Sequence, residues 1–212
     1  MHSFHIGVSN TNIKSATAAR HYTQSARADS TEATGRRIVE AFLGRLMKHW
    51  LDEITLDHVA EDAGVTVQTV VRRFGGKEGL LAGAVKIFSE QVKAQRAAPP
   101  GAVDHLVDSL LGDYEKTGDA VVRMLALEGR HPAVGPVLEI GRGEHRRWVA
   151  SAFAEALRAL EPSERQRALD SLVIITDVYT WKLLRRDMGR SVKETAATIR
   201  SLIEAVISQT SK

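Results

Sequence analysis

Between Gly64 and Gly76 the chain carries no acid, while Thr66, Gln68, Thr69, Arg72 and Arg73 fall within that stretch and Lys77 stands just beyond it. These residue types divide by chemistry. A Gln side chain can pair bidentate with adenine, and a Thr methyl can meet a thymine methyl, each contact being worth about 1–3 kcal/mol of discrimination. Arg and Lys suit phosphates, which hold a protein on a duplex without reading its sequence. Lys77 opens a helix, and a helix N-terminus is a ready phosphate site. The plainer alternative is that these cations are solvated surface charges. Gly75-Gly76-Lys77 is not a nucleotide-binding loop, because such a loop needs Gly at position 71 and Ser or Thr at 78, where this chain has Val71 and Glu78.

The elements that must position these residues are two short helices. Leu56, Val59, Ala60 and Ala63 fall at helical spacing on one face of the first, and Val67, Val70, Val71 and Phe74 do so on the second. Gly64 stops the first where a left-handed residue is needed, and Thr66 stands where an N-cap oxygen meets the free amides of the second. A helix pair with a tight glycine turn is the geometry of a helix-turn-helix, the alternative being an ordinary αα-hairpin. A preceding helix is expected over Thr34–Leu51, with Ile38, Ala41, Phe42, Leu46 and Trp50 on its apolar face. Asp52-Glu53-Ile54 forms a link. After Gly75-Gly76 a long helix runs from Lys77 to Arg96, with Leu80, Leu81, Ala84, Val85, Phe88 and Val92 packing back on the others. Residues 31–92 therefore make a compact unit around the 55–74 motif.

The order helix, Thr55-Leu56-x-x-Val59-Ala60-x-x-Ala63-Gly64-Val65-Thr66, then Phe74-x-x-Lys77-Glu78-x-Leu80-Leu81 resembles the TetR family of bacterial transcriptional regulators. The resemblance covers about 60 residues. It implies an all-α fold: an N-terminal three-helix helix-turn-helix unit, then a larger helical domain for effector binding and dimerisation. It implies contacts to double-stranded DNA from Thr55, Thr66, Gln68, Thr69, Arg72, Arg73 and Lys77. It also implies repression of a palindromic operator, relieved by a small molecule. The chain departs from the family at Val71, where Tyr is usual, and at Arg73, where His or Tyr is frequent.

Residues 1–30 are rich in Ser, Thr, Ala, Asn and His without a helical stripe, and read as a disordered arm. Lys14, Arg20 and Arg27 could touch phosphate, or the arm could be a leader without a role. Ala97-Ala98-Pro99-Pro100-Gly101 is the clearest break, separating 31–92 from a helical domain over 93–212. There, helices are expected over 102–116, 119–129, 132–160 (interrupted at Gly135-Pro136 and Gly141-x-Gly143), 162–186 and 192–208. Ser191-Val192-Lys193-Glu194 is a capping box for the last. In the helix before it, Leu172, Ile175, Tyr179 and Leu183 form one stripe, and Ile174, Val178 and Trp181 another. A helix apolar on two sides must be buried on both. A second copy of the chain is the simplest cover, so a homodimer through the last two helices is expected, with half-sites about one DNA turn apart.

Polar and aromatic residues within these apolar helices are the effector candidates: Tyr114, Arg123, Glu128, His131, Trp148, Asp177 and Trp181. The mostly aliphatic surroundings suggest an apolar or aromatic effector. Glu128-x-x-His131 is half of a di-iron motif with no second half in the chain, so neither metal nor another cofactor is expected. With 212 residues, 43% hydrophobic and 26% charged, the chain can bury a sizeable core. Its net charge of +3 is too small to coat a polyanion, so any nucleic-acid contact must be local. There is no cysteine, apolar membrane span or secretory signal pattern, which points to the cytoplasm. No nucleophile elbow or dinucleotide fingerprint supports an all-helical enzyme. A helix-turn-helix used for protein contact or nonspecific DNA binding is the remaining alternative.

Overall fold

The computed structural model describes residues 30–96 and 101–209. The arm expected over 1–30 lies outside the described residues except for Ser30, as do Ala97 to Pro100 of the expected break. Among the described residues every regular element is helical.

Helix α1 covers residues 30–46 and buries Ile38, Val39, Phe42 and Leu46. It ends five residues earlier than its periodicity predicts. The chain turns, and Leu51–Glu53 forms a short 3-10 segment that puts Leu51, rather than Trp50, into the core. Trp50 stays substantially exposed, and its amide donates to the Glu53 carboxylate at 3.0 Å.

Helices α2 (Leu56–Ala63) and α3 (Val67–Phe74) meet as their sequence dictates. Gly64 adopts φ 64°, donates to the Glu61 carbonyl at 3.1 Å, and is followed by Val65 donating to Ala60 at 2.9 Å. Those two bonds satisfy carbonyls that a helix end otherwise leaves open. Val59, Ala60, Ala63 and Val70 are buried between the helices. Helix α4 (Lys77–Gln95) buries Leu80, Leu81 and Ala84 against this group. Its far end does something else: Phe88 and Val92 face a cavity rather than the first three helices.

Helix α5 (Val103–Ala126) is continuous where a break near 117–118 was expected. Gly118 is not a stop there. A Cβ on it would come within 2.4 Å of the Trp181 ring, so the missing side chain is what lets that indole lie on α5. Helix α6 (Val134–Ala152) also runs through its glycines, and Pro136 is tolerated because it sits in the first turn. Then follow α7 (Ala154–Arg158), α8 (Pro162–Ile175), α9 (Val178–Lys182), a π-turn over Leu183–Asp187, and α10 (Val192–Gln209).

The single helix expected over 162–186 is thus broken at Thr176-Asp177. Thr176 Oγ1 donates to the Leu172 carbonyl at 2.7 Å and Thr180 Oγ1 to that of Ile174 at 2.6 Å, while Asp177 Oδ1 accepts from the Tyr179 amide at 2.8 Å. Side chains that bond nearby backbone compete with the helical ladder, and here they win. The break re-sorts both stripes. Leu172, Ile175, Val178 and Trp181 are buried, whereas Ile174, Tyr179 and Leu183 are 66%, 55% and 51% exposed. The capping box before α10 forms as expected, with the Glu194 amide donating to Ser191 Oγ at 3.2 Å and the Ser191 amide to Glu194 Oε2 at 2.8 Å.

Two apolar cores result. The larger joins α5 to α10 around the fully buried Trp181, whose Nε1 donates to Glu115 at 2.8 Å. The smaller is built by α1 to α4 together with Val134 and Leu138 of α6.

Candidate functional site

Two features carry polar chemistry. The first is the outer face of α3. Thr66 caps the helix, its Oγ1 accepting from the Thr69 amide at 3.2 Å and lying 3.0 Å from Thr69 Oγ1. Thr55 does the same for α2, accepting from the His58 amide at 3.2 Å. Three of the four expected threonine and glutamine contacts therefore have a structural task as well, and Gln68 is exposed without one among the described residues. Arg72 is exposed and makes no ion pair among the described residues. Arg73 lies back against α1, where a Cβ on Gly35 would meet its Nε at 2.3 Å. Lys77 Nζ reaches the Asp52 carbonyl at 3.5 Å, and burial lowers its pKa. Val71 is 43% exposed on this same helix. Arg72 and Arg73 also occupy the last turn of α3, where cations complement the helix dipole.

The second feature is a cavity of about 720 Å³ between the two cores. That lies within the range of small-molecule sites. Helix α1 supplies Leu43 and Leu46, the turn after it Met47, α4 supplies Val85, Phe88 and Val92, and α5, α6 and the α8–α9 break complete the wall. Any occupant would touch the helices that carry α3.

One corner of this apolar space is polar. Arg96 donates from Nε to Asp113 Oδ2 at 3.0 Å, and both side chains are almost wholly buried. The guanidinium also lies 4.9 Å from the Tyr114 ring centre and 5.2 Å from that of Trp148. Its Nη1 is 3.4 Å from His145 Nδ1. Arginine can only donate, so this nitrogen of His145 is unprotonated and the ring carries its proton on Nε2. That proton points to Thr176 Oγ1 at 3.1 Å, which passes its own to the Leu172 carbonyl. Burial, reinforced by the Arg96 charge, holds the His145 pKa down to about 4. Burial also pushes the Tyr114 phenol up to about 12, and its hydroxyl donates to the Thr176 carbonyl at 3.1 Å.

Of the seven effector candidates, Tyr114, Trp148 and Asp177 line this cavity. The others do not. Arg123 donates to the carbonyls of Leu46 and Met47, Glu128 is tied to Arg142, His131 accepts from the Ala133 amide, and Trp181 is sealed in the larger core. Arg96, Asp113 and His145 escape a reading of the sequence. The signal was there: Asp113 falls in register with Leu106, Leu110, Tyr114 and Thr117, and His145 with Leu138 and Val149, so each is a polar residue on an apolar stripe. Among the described residues no group of three or more His, Asp or Glu could hold a metal ion, and no helix is long and apolar enough to cross a membrane.

No family model matches the chain. It is 23% identical to an HTH-type transcriptional repressor of Streptomyces coelicolor over 160 residues, spanning 75% of this chain and 83% of that protein. Among solved structures it resembles GusR of Salmonella enterica with a TM-score of 0.65 at 17% identity, covering 82% of this chain and 95% of that one. A transcriptional regulator of Pseudomonas aeruginosa described as putative gives a TM-score of 0.63 at 19% identity, with 82% and 90% covered. A TetR transcriptional regulator from Rhodococcus gives 0.54 at 18% identity, with 83% and 96% covered.

Proposed function

We propose that this chain, which has the all-helical fold of TetR-type regulators, is a sequence-specific DNA-binding transcriptional regulator: a homodimeric repressor released from a palindromic operator by a small molecule in the cavity. The observation that supports it best is a shared scaffold. Helices α1 and α4 both hold the acid-free α3 and wall the cavity, so an occupant that favours one placement of these helices changes the placement of α3. Linkage demands only that it bind the two placements with different affinity. Base reading falls to Gln68 and Thr69 with Thr66, and phosphate binding to Arg72, with Arg73, Lys77 and Thr55 at the edge of the face. The exposed Ile174, Tyr179, Leu183 and, on α10, Leu202 supply an apolar surface for the second copy.

The test is selection of binding sites from a random duplex library, followed by salt titration on the selected and a scrambled duplex. The expected result is a two-fold symmetric site bound at least about 10³-fold more tightly than the scrambled one. Equal affinity at every salt concentration would leave nonspecific DNA binding, and no DNA binding would leave a protein-contact role.

A further inference from the structure

We infer that the cavity takes an amphiphilic cation: an apolar body carrying one protonated amine, which pairs with Asp177. The inference rests on the cavity being the effector site, and it follows from how the charges on its wall are partnered.

Four cations reach the wall, and each already has a carboxylate. Lys93 pairs with Glu144 at 3.0 Å, Arg96 with Asp113, Arg142 with Glu128, and Arg146 with Asp170 at 2.8 Å. His145 is neutral over the ordinary pH range. Among the described residues no cation on the wall is left over to receive an anionic ligand, and the pair that reaches deepest, Arg96 and Asp113, is surrounded by His145, Tyr114 and Trp148.

The acids come out differently. Asp113 and Glu144 are matched, but Asp177 makes no ion pair among the described residues. One of its oxygens accepts from the Tyr179 amide, and the cation whose charge acts on it, Arg142, is held by Glu128. Burial raises the Asp177 pKa, as expected for a carboxylate withdrawn from water without a counter-charge. It sits at the α8–α9 break, beside Tyr114 and Tyr179 and facing a space whose remaining wall is aliphatic and aromatic side chains together with the mutually paired charges named above. A carboxylate so placed favours a cation that brings its own apolar mass, because the mass excludes the water that would otherwise screen the pair.

The probes are decylamine, 1-decanol and decanoate, each titrated calorimetrically below its micelle concentration into the full-length protein and into D177N. Asn serves as well as Asp at a helix N-cap, so this substitution keeps the break while removing the charge. The expected outcome is decylamine binding at least tenfold more tightly than 1-decanol, with decanoate weakest, and D177N bringing decylamine within about twofold of the alcohol while leaving the alcohol unchanged. Decanoate or decanol binding as tightly as the amine, an amine preference that survives in D177N, or no binding by any of the three would overturn the inference. Site-selective DNA binding is measured separately without probe, so loss of the regulator reading registers in that arm alone.

Discussion

Arg123 on α5 donates through Nη2 to the carbonyl oxygen of Leu46, the last residue of α1, at 3.0 Å, and to that of Met47 at 2.9 Å. The C-terminal carbonyls of α1, which no helical amide reaches, are thus capped by a cation from the other half of the molecule. The same stretch of α1 lines the cavity. Arg123→Ala should lower stability by about 1.5–3 kcal/mol, the worth of charged hydrogen bonds. In a thermal melt that corresponds to a fall of roughly 3–12 °C. It should also shrink the drop in DNA affinity caused by an effector, and Arg123→Lys should recover part of both.

The two kinds of contact expected from α3 separate experimentally. Arg72→Ala should weaken binding to selected and scrambled duplexes alike and reduce the salt slope by about one. Gln68→Ala should instead cost about 1–3 kcal/mol on the selected duplex only. Competition binding at several salt concentrations distinguishes them, and a Gln68→Ala protein with unchanged preference would remove that residue from base reading.

Gly118→Ala sets two effects against each other. Alanine favours a helix over glycine by about 1 kcal/mol. Here its Cβ would lie 2.4 Å from the ring of the fully buried Trp181, which is held by Glu115 and cannot retreat. Overpacking of that kind costs about 1–3 kcal/mol. The variant should therefore melt lower, with a changed near-ultraviolet dichroism from the displaced indole.

His145 makes stability pH-dependent in a definite direction. Its folded pKa of about 4 lies below the unfolded value near 6.5, so the unfolded chain binds the extra proton first. The contribution is fully present above about pH 6.5 and is lost as the pH falls toward 4, by up to about 3 kcal/mol. Urea midpoints should fall between pH 7.5 and pH 5, and His145→Gln should flatten that change.

Leu183 is half exposed on the π-turn after α9, beside the exposed Tyr179. Leu183→Glu places a charge on the surface assigned to the second copy without disturbing either core. Sedimentation should show a monomer with an unchanged melting profile at low concentration, and sequence-selective DNA binding should fall by an order of magnitude or more. A dimer that survives this change and Leu202→Glu would put the interface elsewhere.

Legibility followed the range of the interactions involved. The turn at Gly64, the caps at Thr66 and Ser191 and the stripe of α2 depend on neighbours within a few residues and form as their spacing dictates, whereas on α3 Val70 is buried but Val71, expected on the same apolar face, is 43% exposed. The continuity of α5 at Gly118 and of α6 at Pro136 is not legible locally, because it depends on a ring 63 positions away and on where a helix starts. The break at Thr176-Asp177 is hidden in the sequence because apolar periodicity continues through it, while the bonds that make it come from small polar side chains. In the cavity, Tyr114, Trp148 and Asp177 stood out as polar or aromatic residues among aliphatic ones. Arg96 did not, since a cation at a helix end looks like any solvated terminus until Asp113 closes on it.

Val134 and Leu138 give the small core of α1 to α4 two side chains it cannot supply itself. The unit of α1 to α4 is therefore not a transplantable cassette. A chimera that grafts residues 30–95 onto a foreign body would leave two openings in its hydrophobic interior, each of a kind that costs a few kcal/mol when a large side chain is lost. Moving the proposed DNA specificity between proteins of this fold would require carrying the first turns of α6 along with α1 to α4, or confining the exchange to the outward residues of α3.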